Sequence, residues 1–462
     1  MKHPFKKVGS LLAVTVMIMG SLVGCSSTGK DEDKGDAAQS GGKIEGTLDV
    51  AVFEGGYGTA FWEEAEKKFE ELYPDVDVKI TASAKIGDVI RPQIASGNSP
   101  DFIYHSAQNA ESVAKALIKD KNLADLTDVF EKAAPGEDTP IKDKMMDGLL
   151  DKTSVAPYGD GKPYLAPLYY NVTGLWYNKA LFKEKGWEVP KTLDEFIELG
   201  KKAKAEGIAL FTYQGQHPGY LEALVWPTIA SEAGEEAIEA IFNYEEGAWD
   251  KPEVKAALEK IQKLGTDGYM LDGTPAMCHI QAQTAHLKGE ALFCPNGNWY
   301  EGEMKDAVQD GWEWGFMAPV ATKEGADRYV STMIEEMYIP GNSDNIETAK
   351  EFMRFLYSDE MIEANAKLNQ AVVPTKGALE VAKQYIPASS YDCLTVFNDG
   401  TKPIIEAWKT VENTEINMRD EVLGKAGSVL SGEQTVQNWL DALKASNSKV
   451  IAVSYTHLRA HE

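Results

Sequence analysis

Val76, Val78 and Ile80 alternate with Asp75, Asp77 and Lys79, and a period of two predicts a half-buried strand. Before it, Phe61, Ala65, Phe69 and Leu72 recur at helical spacing among Glu and Lys until Pro74 stops the run. That spacing predicts a helix with one apolar face. Residues 48–53 are a short apolar run, as expected of a strand buried on both faces, and the turn Glu54-Gly55-Gly56-Tyr57-Gly58 follows. Further strands are expected at 102–104, 174–177, 208–212, 314–317 and 333–339. Thr192-Leu193-Asp194-Glu195 reads as a capping box opening a helix. Residues 221–230 read as a helix broken only by Pro227, and 346–357, 422–430 and 436–443 as later helices. No internal repeat is present. Strand and helix in alternation predict an α/β fold with a mostly parallel sheet and helices on both faces.

The stretch HLKGEALFCPNGNWYEGEM, 286–304, is the most informative. Gly289 suits the left-handed end of a helix. The apolar run 291–294 reads as a buried strand, which Pro295, Asn296, Gly297 and Asn298 then break before Trp299 and Tyr300. Amides and aromatics also follow other strands: Glu54 and Tyr57; His105, Gln108 and Asn109; Tyr170 and Asn171; Tyr213 and Gln214. In an open α/β sheet such ends converge on one crevice. An indole offers a flat apolar face, and amides offer donors and acceptors together. The combination suits a sugar, with its apolar ring face and hydroxyl edge. The plainer alternative makes Trp299 a core aromatic, the Asn-Gly segment only a turn, and each Tyr or Gln a solvated loop residue.

The 462 residues suffice for two domains. A net charge of -26 argues against nucleic acid and against docking on anionic lipid, and otherwise serves solubility. Lys2, Lys6 and Lys7 precede an apolar run, 8–23, that is short for a membrane span and ends Leu22-Val23-Gly24-Cys25. This resembles a bacterial lipobox, which implies a signal peptide over 1–25, a lipid on Cys25 and anchoring outside the cytoplasm. Residues 26–46 read as a flexible tether. Residues 450–462 read as unstructured, non-native chain. Cys278, Cys294 and Cys393 form no disulfide framework, although Cys278 and Cys294 could pair; Cys294 reads as a small buried strand residue.

Catalytic patterns are absent: no G-x-S-x-G elbow, P-loop or H-E-x-x-H occurs. His279 and His286 can share a helix face but read as surface or packing residues. Glu335 and Glu336, as strand neighbours, point to opposite faces, which suits a glycosidase pair badly but leaves one free to face a ligand. No catalytic residue, metal or cofactor is expected.

Together with the lipobox, LDVAVFEGGYG, FEELYPDVDVKI, SGNSPDFIYHS, GLWYNKALFKEKGWEVPKTLDEF and AKEFMRFLYSDE resemble extracellular solute-binding proteins of carbohydrate ABC transporters over about residues 47–445. TYQGQHPGY, FNYEEGAWDKPEV and HIQAQTAHLKGEALFCPNGNWYEGEMKD are most similar to the branch for N-acetylglucosamine and diacetylchitobiose. The resemblance implies a two-lobed, periplasmic-binding-protein-like (type II) fold with a ligand cleft at the hinge. One lobe would hold 47–168 and 333–371, the other 169–332 and 372–449. It implies a sugar site drawn from Glu54, Tyr57, His105, Tyr170, Asn171, Tyr213, Gln214, Tyr220, Asn298, Trp299 and Glu335. The expected partners are a carbohydrate and the permease subunits of an importer, for a monomer that performs no reaction. Competing readings are an exported glycoside hydrolase using Glu54, Glu301 or Glu335, a receptor for another oligosaccharide (malto- or xylo-), and a receptor for peptides or metal ions.

Overall fold

The computed structural model describes residues 43–107, 112–409, 411, 414 and 416–460, with side chains as far as 454. The signal segment with Cys25, most of the tether, Gln108 and Asn109 lie outside the described residues. Among the described residues nine strands form the sheet: β1 (Gly46–Phe53), β2 (Val76–Ser83), β3 (Phe102–Tyr104), β4 (Ala166–Asn178), β5 (Ala209–Phe211), β6 (Ala291–Gly297), β7 (Trp314–Met317), β8 (Tyr329–Tyr338) and β9 (Lys402–Ile405). Their order is β2-β1-β3-β8-β4-β6-β5, with β7 on β4 and β9 on β8. Pairing is parallel where helices return the chain, in β1 with β2 and β3, and in β5 with β6. It turns antiparallel at β8 and β4, which carry the sheet across its middle.

The helix Ala60–Leu72 buries Phe61, Trp62, Ala65 and Phe69 against β1–β3, while Leu72, expected on that face, is 48% exposed. The Thr192 capping box is formed, with both reciprocal hydrogen bonds, at the start of Leu193–Ala205. Gly289 takes φ 75° past the helix His279–Leu287. β6 does not stop at Pro295 but runs on to Gly297. Beyond Phe293 its β5 side has no ladder partner, so a residue without an N–H is tolerated there. The Pro295 main-chain carbonyl accepts from Gln214 Nε2 at 2.9 Å.

Two large hydrophobic cores share this sheet. The first gathers β1–β3 with the helices Ala60–Leu72, Ile346–Leu356 and Asp359–Asn369. The second gathers Trp226, Trp249, Trp439 and the helices around β5. β4 belongs to both: Leu168, Tyr169 and Val172 pack in the first, Leu175 and Tyr177 in the second. A smaller cluster around Ile103 and Tyr338 covers the other face of β1 and β3. Val372, Ala378 and Leu394, expected with the second lobe, pack in the first core. The last helix, Val436–Ala460, runs through residues expected to be unstructured. Val450 is fully buried and anchors it, and the sequence beyond holds no Gly or Pro to end a helix.

Candidate functional site

Where β1, β3, β4, β6 and β8 meet, five polar side chains form one hydrogen-bonded set. Tyr57, on the turn after β1, donates its hydroxyl to Asn171 Oδ1 on β4. Asn171 Nδ2 donates to Glu335 Oε1 on β8 at 2.8 Å. Asn298, just past β6, donates Nδ2 to the Tyr57 hydroxyl at 3.1 Å and fixes its own oxygen on Val172 N–H at 3.0 Å. Tyr104 on β3 donates its hydroxyl to the other Glu335 oxygen. Register explains the meeting: Tyr169 pairs with Glu335 in the antiparallel β4–β8 ladder, so Tyr169, Asn171 and Glu335 share one face. Burial pushes the Glu335 carboxyl up, against the pull of the Tyr104 and Asn171 hydrogen bonds. Burial likewise raises the Tyr57 phenol, with Glu335 adding to it, so that hydroxyl stays protonated and able to donate.

Trp299 stands beside this set, half-buried rather than sunk in a core. Its ring lies over Gly297, where a Cβ would come within 2.1 Å of it, and over Gly56 of the β1 turn. Tyr220 lies beside its indole, and the Tyr220 phenol is raised chiefly by burial. Gln214 is fully buried and braces the carboxyl end of β6 through Pro295.

Other expected site residues lie elsewhere. Tyr213 is 1% exposed and belongs to the second core, its hydroxyl directed at Gly427, so it packs rather than lines a cleft. Tyr170 is one residue from Asn171 and therefore faces the opposite side, against Phe397. His105 is buried with its ring stacked on Phe53 at 5.4 Å. Glu54 is exposed, tied to Ser83 by its backbone. Glu336 points away from Glu335 and accepts from Ala107 N–H at 3.1 Å. Two groups escaped the sequence reading. Tyr104 was read only as part of an apolar strand. Arg419 joins Glu406, 13 positions away, and Glu222, 197 positions away, in one ion network, and Thr173 of β4 donates to Glu222 at 3.1 Å.

The sequence profile described as "Bacterial extracellular solute-binding protein" matches residues 54–363, more than half of the chain. The chain belongs to that family. This solute-binding protein is 27% identical over 459 residues to the diacetylchitobiose binding protein NgcE of Streptomyces coelicolor, covering 95% of this chain and 94% of the relative. It is 25% identical to the multiple sugar-binding protein of Streptococcus mutans, over 68% and 72% of the two chains. Among solved structures it is similar to a chitin oligosaccharide binding protein, with TM-score 0.71, 17% identity and coverage of 89% and 100%. A second is RafE in complex with raffinose, with TM-score 0.65, 19% identity and coverage of 87% and 99%. The fold is thus the two-lobed, periplasmic-binding-protein type.

The solute-binding protein's site sets amide and phenol donors and acceptors and the Glu335 carboxyl beside a flat ring. Burial raises the Cys294 and Cys393 thiols and lowers His286 to about 3. All three described cysteines, Cys278 included, are free. Among the described residues no cluster of His, Cys, Asp or Glu could hold a metal ion, and no helix is long and apolar enough to cross a membrane.

Proposed function

We propose that this protein captures a neutral saccharide, N-acetylglucosamine or diacetylchitobiose, outside the cytoplasm and hands it unaltered to the permease of an ABC importer. It acts as a monomer held to the membrane through a lipid on Cys25. The observation that carries the reading is the convergence of Tyr57, Asn171, Asn298 and Glu335, drawn from four separate segments, beside the Trp299 ring. Stacking on an indole removes apolar sugar surface from water at roughly 25 cal/mol per Å2. Amides and phenols satisfy hydroxyls that would each cost about 1–3 kcal/mol if buried unpaired. An acetamido group adds one donor, one acceptor and a methyl to be housed. The diacetylchitobiose-binding relative supports that choice of sugar.

Titration calorimetry with N-acetylglucosamine, diacetylchitobiose and malto- and xylo-oligosaccharides tests the proposal. Binding of an N-acetylated sugar without any product on prolonged incubation is expected. Failure to bind every saccharide would end it. Turnover abolished by Glu335→Gln would convert the receptor into a hydrolase.

A further inference from the structure

The hydrogen bonds through Tyr57 all run one way, and both ends of the chain fix the direction. At one end stands the Val172 main-chain N–H, which can only donate, so the Asn298 atom it meets at 3.0 Å is the amide oxygen. Asn298 Nδ2 is thereby turned to the Tyr57 hydroxyl, at 3.1 Å. Ser390 Oγ, on the helix Ala388–Leu394, donates to the Asn298 main-chain carbonyl at 2.8 Å and holds the segment in place. At the other end stands Glu335. An ionised carboxylate can only accept. It receives Asn171 Nδ2 on one oxygen, at 2.8 Å, and the Tyr104 hydroxyl on the other. With Nδ2 committed there, Asn171 presents Oδ1 to Tyr57, and the single phenolic proton goes to it. The Tyr57 oxygen is left with a lone pair and no proton to offer. Asn171 is 0% exposed and Asn298 3%, so the half-buried Tyr57 is the member through which a ligand joins this chain.

We infer that Glu335 is a positioning residue: acting through Asn171, it makes the Tyr57 hydroxyl an acceptor toward the ligand, which must carry an O–H or N–H donor at that point. The inference rests on the carbohydrate reading and deepens it by naming the polarity that one group of the sugar needs. A hydroxyl or an acetamido N–H meets the need. An ether oxygen, an ester oxygen or a fluorine sets a lone pair against a lone pair. Once protonated, Glu335 has a proton of its own to give, so Asn171 is free to reverse and Tyr57 to direct its proton at the ligand. The titratable groups facing Glu335 are Tyr104 from β3, Tyr57 from the turn after β1, Tyr169 from β4 and its neighbour Glu336. Burial holds the three phenols above their ordinary values and Glu336 at about 8, so these four keep their protons below about pH 7. Burial also raises Glu335, which therefore takes up its proton above the ordinary 4.5.

Calorimetry on wild type, Glu335→Gln and Tyr57→Phe tests this. The parent ligand is whichever of N-acetylglucosamine, diacetylchitobiose and the malto- and xylo-sugars the wild type binds most tightly. It is compared with derivatives in which one hydroxyl at a time is replaced by fluorine, or an acetamido nitrogen by oxygen. Each derivative keeps an acceptor and lacks the donor. At one position the replacement is expected to weaken wild-type binding about tenfold, the range for an acceptor left unpaired. Tyr57→Phe should erase that loss. Glu335→Gln should shrink it, because the substituted amide can donate to Asn171 and let the chain reverse. In the wild type the loss should also shrink as pH is lowered from about 7 toward 4.5, and in Glu335→Gln it should not change with pH. Melting temperatures are recorded for each protein and pH; if Glu335→Gln does not fold, the wild-type pH profile decides. A loss that Tyr57→Phe leaves in place at every position overturns the inference, because another group then takes the donor. A loss of the same size in folded Glu335→Gln overturns it too, as does a wild-type loss independent of pH. A wild type that binds no saccharide of any kind overturns the carbohydrate reading beneath it.

Discussion

Glu336 is 1% exposed, and burial pushes its carboxyl up from 4.5 to about 8, against the Ala107 hydrogen bond and with Glu335 adding to the rise. Between those two values the unfolded carboxyl is ionised while the folded one keeps its proton. The folded state then binds more protons, so this residue's contribution to stability is full below pH 4.5 and is lost as pH rises toward 8. Glu336→Gln keeps an acceptor for Ala107 and removes the titration. Its stability relative to wild type is expected to grow between pH 4.5 and 8, by on the order of a few kcal/mol, in urea melts at several pH values. An advantage that stays constant across that range would refute the assignment. At this scale the sequence located Tyr57, Asn171, Asn298 and Glu335, because each sits in or directly after a strand whose period is visible. It misplaced Tyr170 by one step of alternation. It misplaced Tyr213 because a tyrosine after a strand can turn into the core as readily as into a crevice. Arg419 carries no periodic signal, and of its two partners Glu222 is 197 positions away.

β6 shows how a single element positions the site. Sequence reading ended it at Cys294, with Pro295 to Asn298 as turn formers, but only the β4 side of that segment is paired, so a proline is accommodated. The strand therefore continues far enough to aim Asn298 and Trp299. Likewise β4 is longer than its apolar run suggested, because Asn171 and Thr173 interrupt the hydrophobic pattern at the positions that face the polar networks. The strand's function obscured its extent. Gly297 is the point at which ring and strand touch. Gly297→Ala would drive a Cβ to 2.1 Å from the indole, and the ring must leave. The expected outcome is a destabilisation of about 1–3 kcal/mol, typical of overpacking, together with saccharide affinity weakened about tenfold. Denaturant melts and calorimetry measure the two effects. Normal affinity in a folded Gly297→Ala protein would show that the indole does not stack on ligand.

β4 and β8 contribute side chains to both cores, so Gly42–Glu462 forms one compact unit even though its hydrophobic residues divide into two main groups. Two strands passing between two packed bodies allow small changes in backbone angle to rotate one body against the other, as in hinge closure. The polar set is drawn from separate segments around those strands. Tyr57 comes from the first core's turn, Asn171 from the crossing strand and Asn298 from the end of β6, and Tyr57 already bonds to both amides. A sugar hydroxyl has the same ability to donate and accept as that phenol, so ligand can enter the network and draw the two sides together. Any ligand that binds only the folded protein stabilises it by mass action, about 2.7 kcal/mol at a hundred times Kd. Saturating disaccharide is therefore expected to raise the melting temperature and to reduce the radius of gyration in solution scattering. Tyr57→Phe, which deletes the hydroxyl joining Asn171 to Asn298, should weaken both responses while leaving the unliganded fold intact. A ligand that raises the melting temperature with no change in scattering would place the same chemistry in a rigid groove instead of a closing cleft.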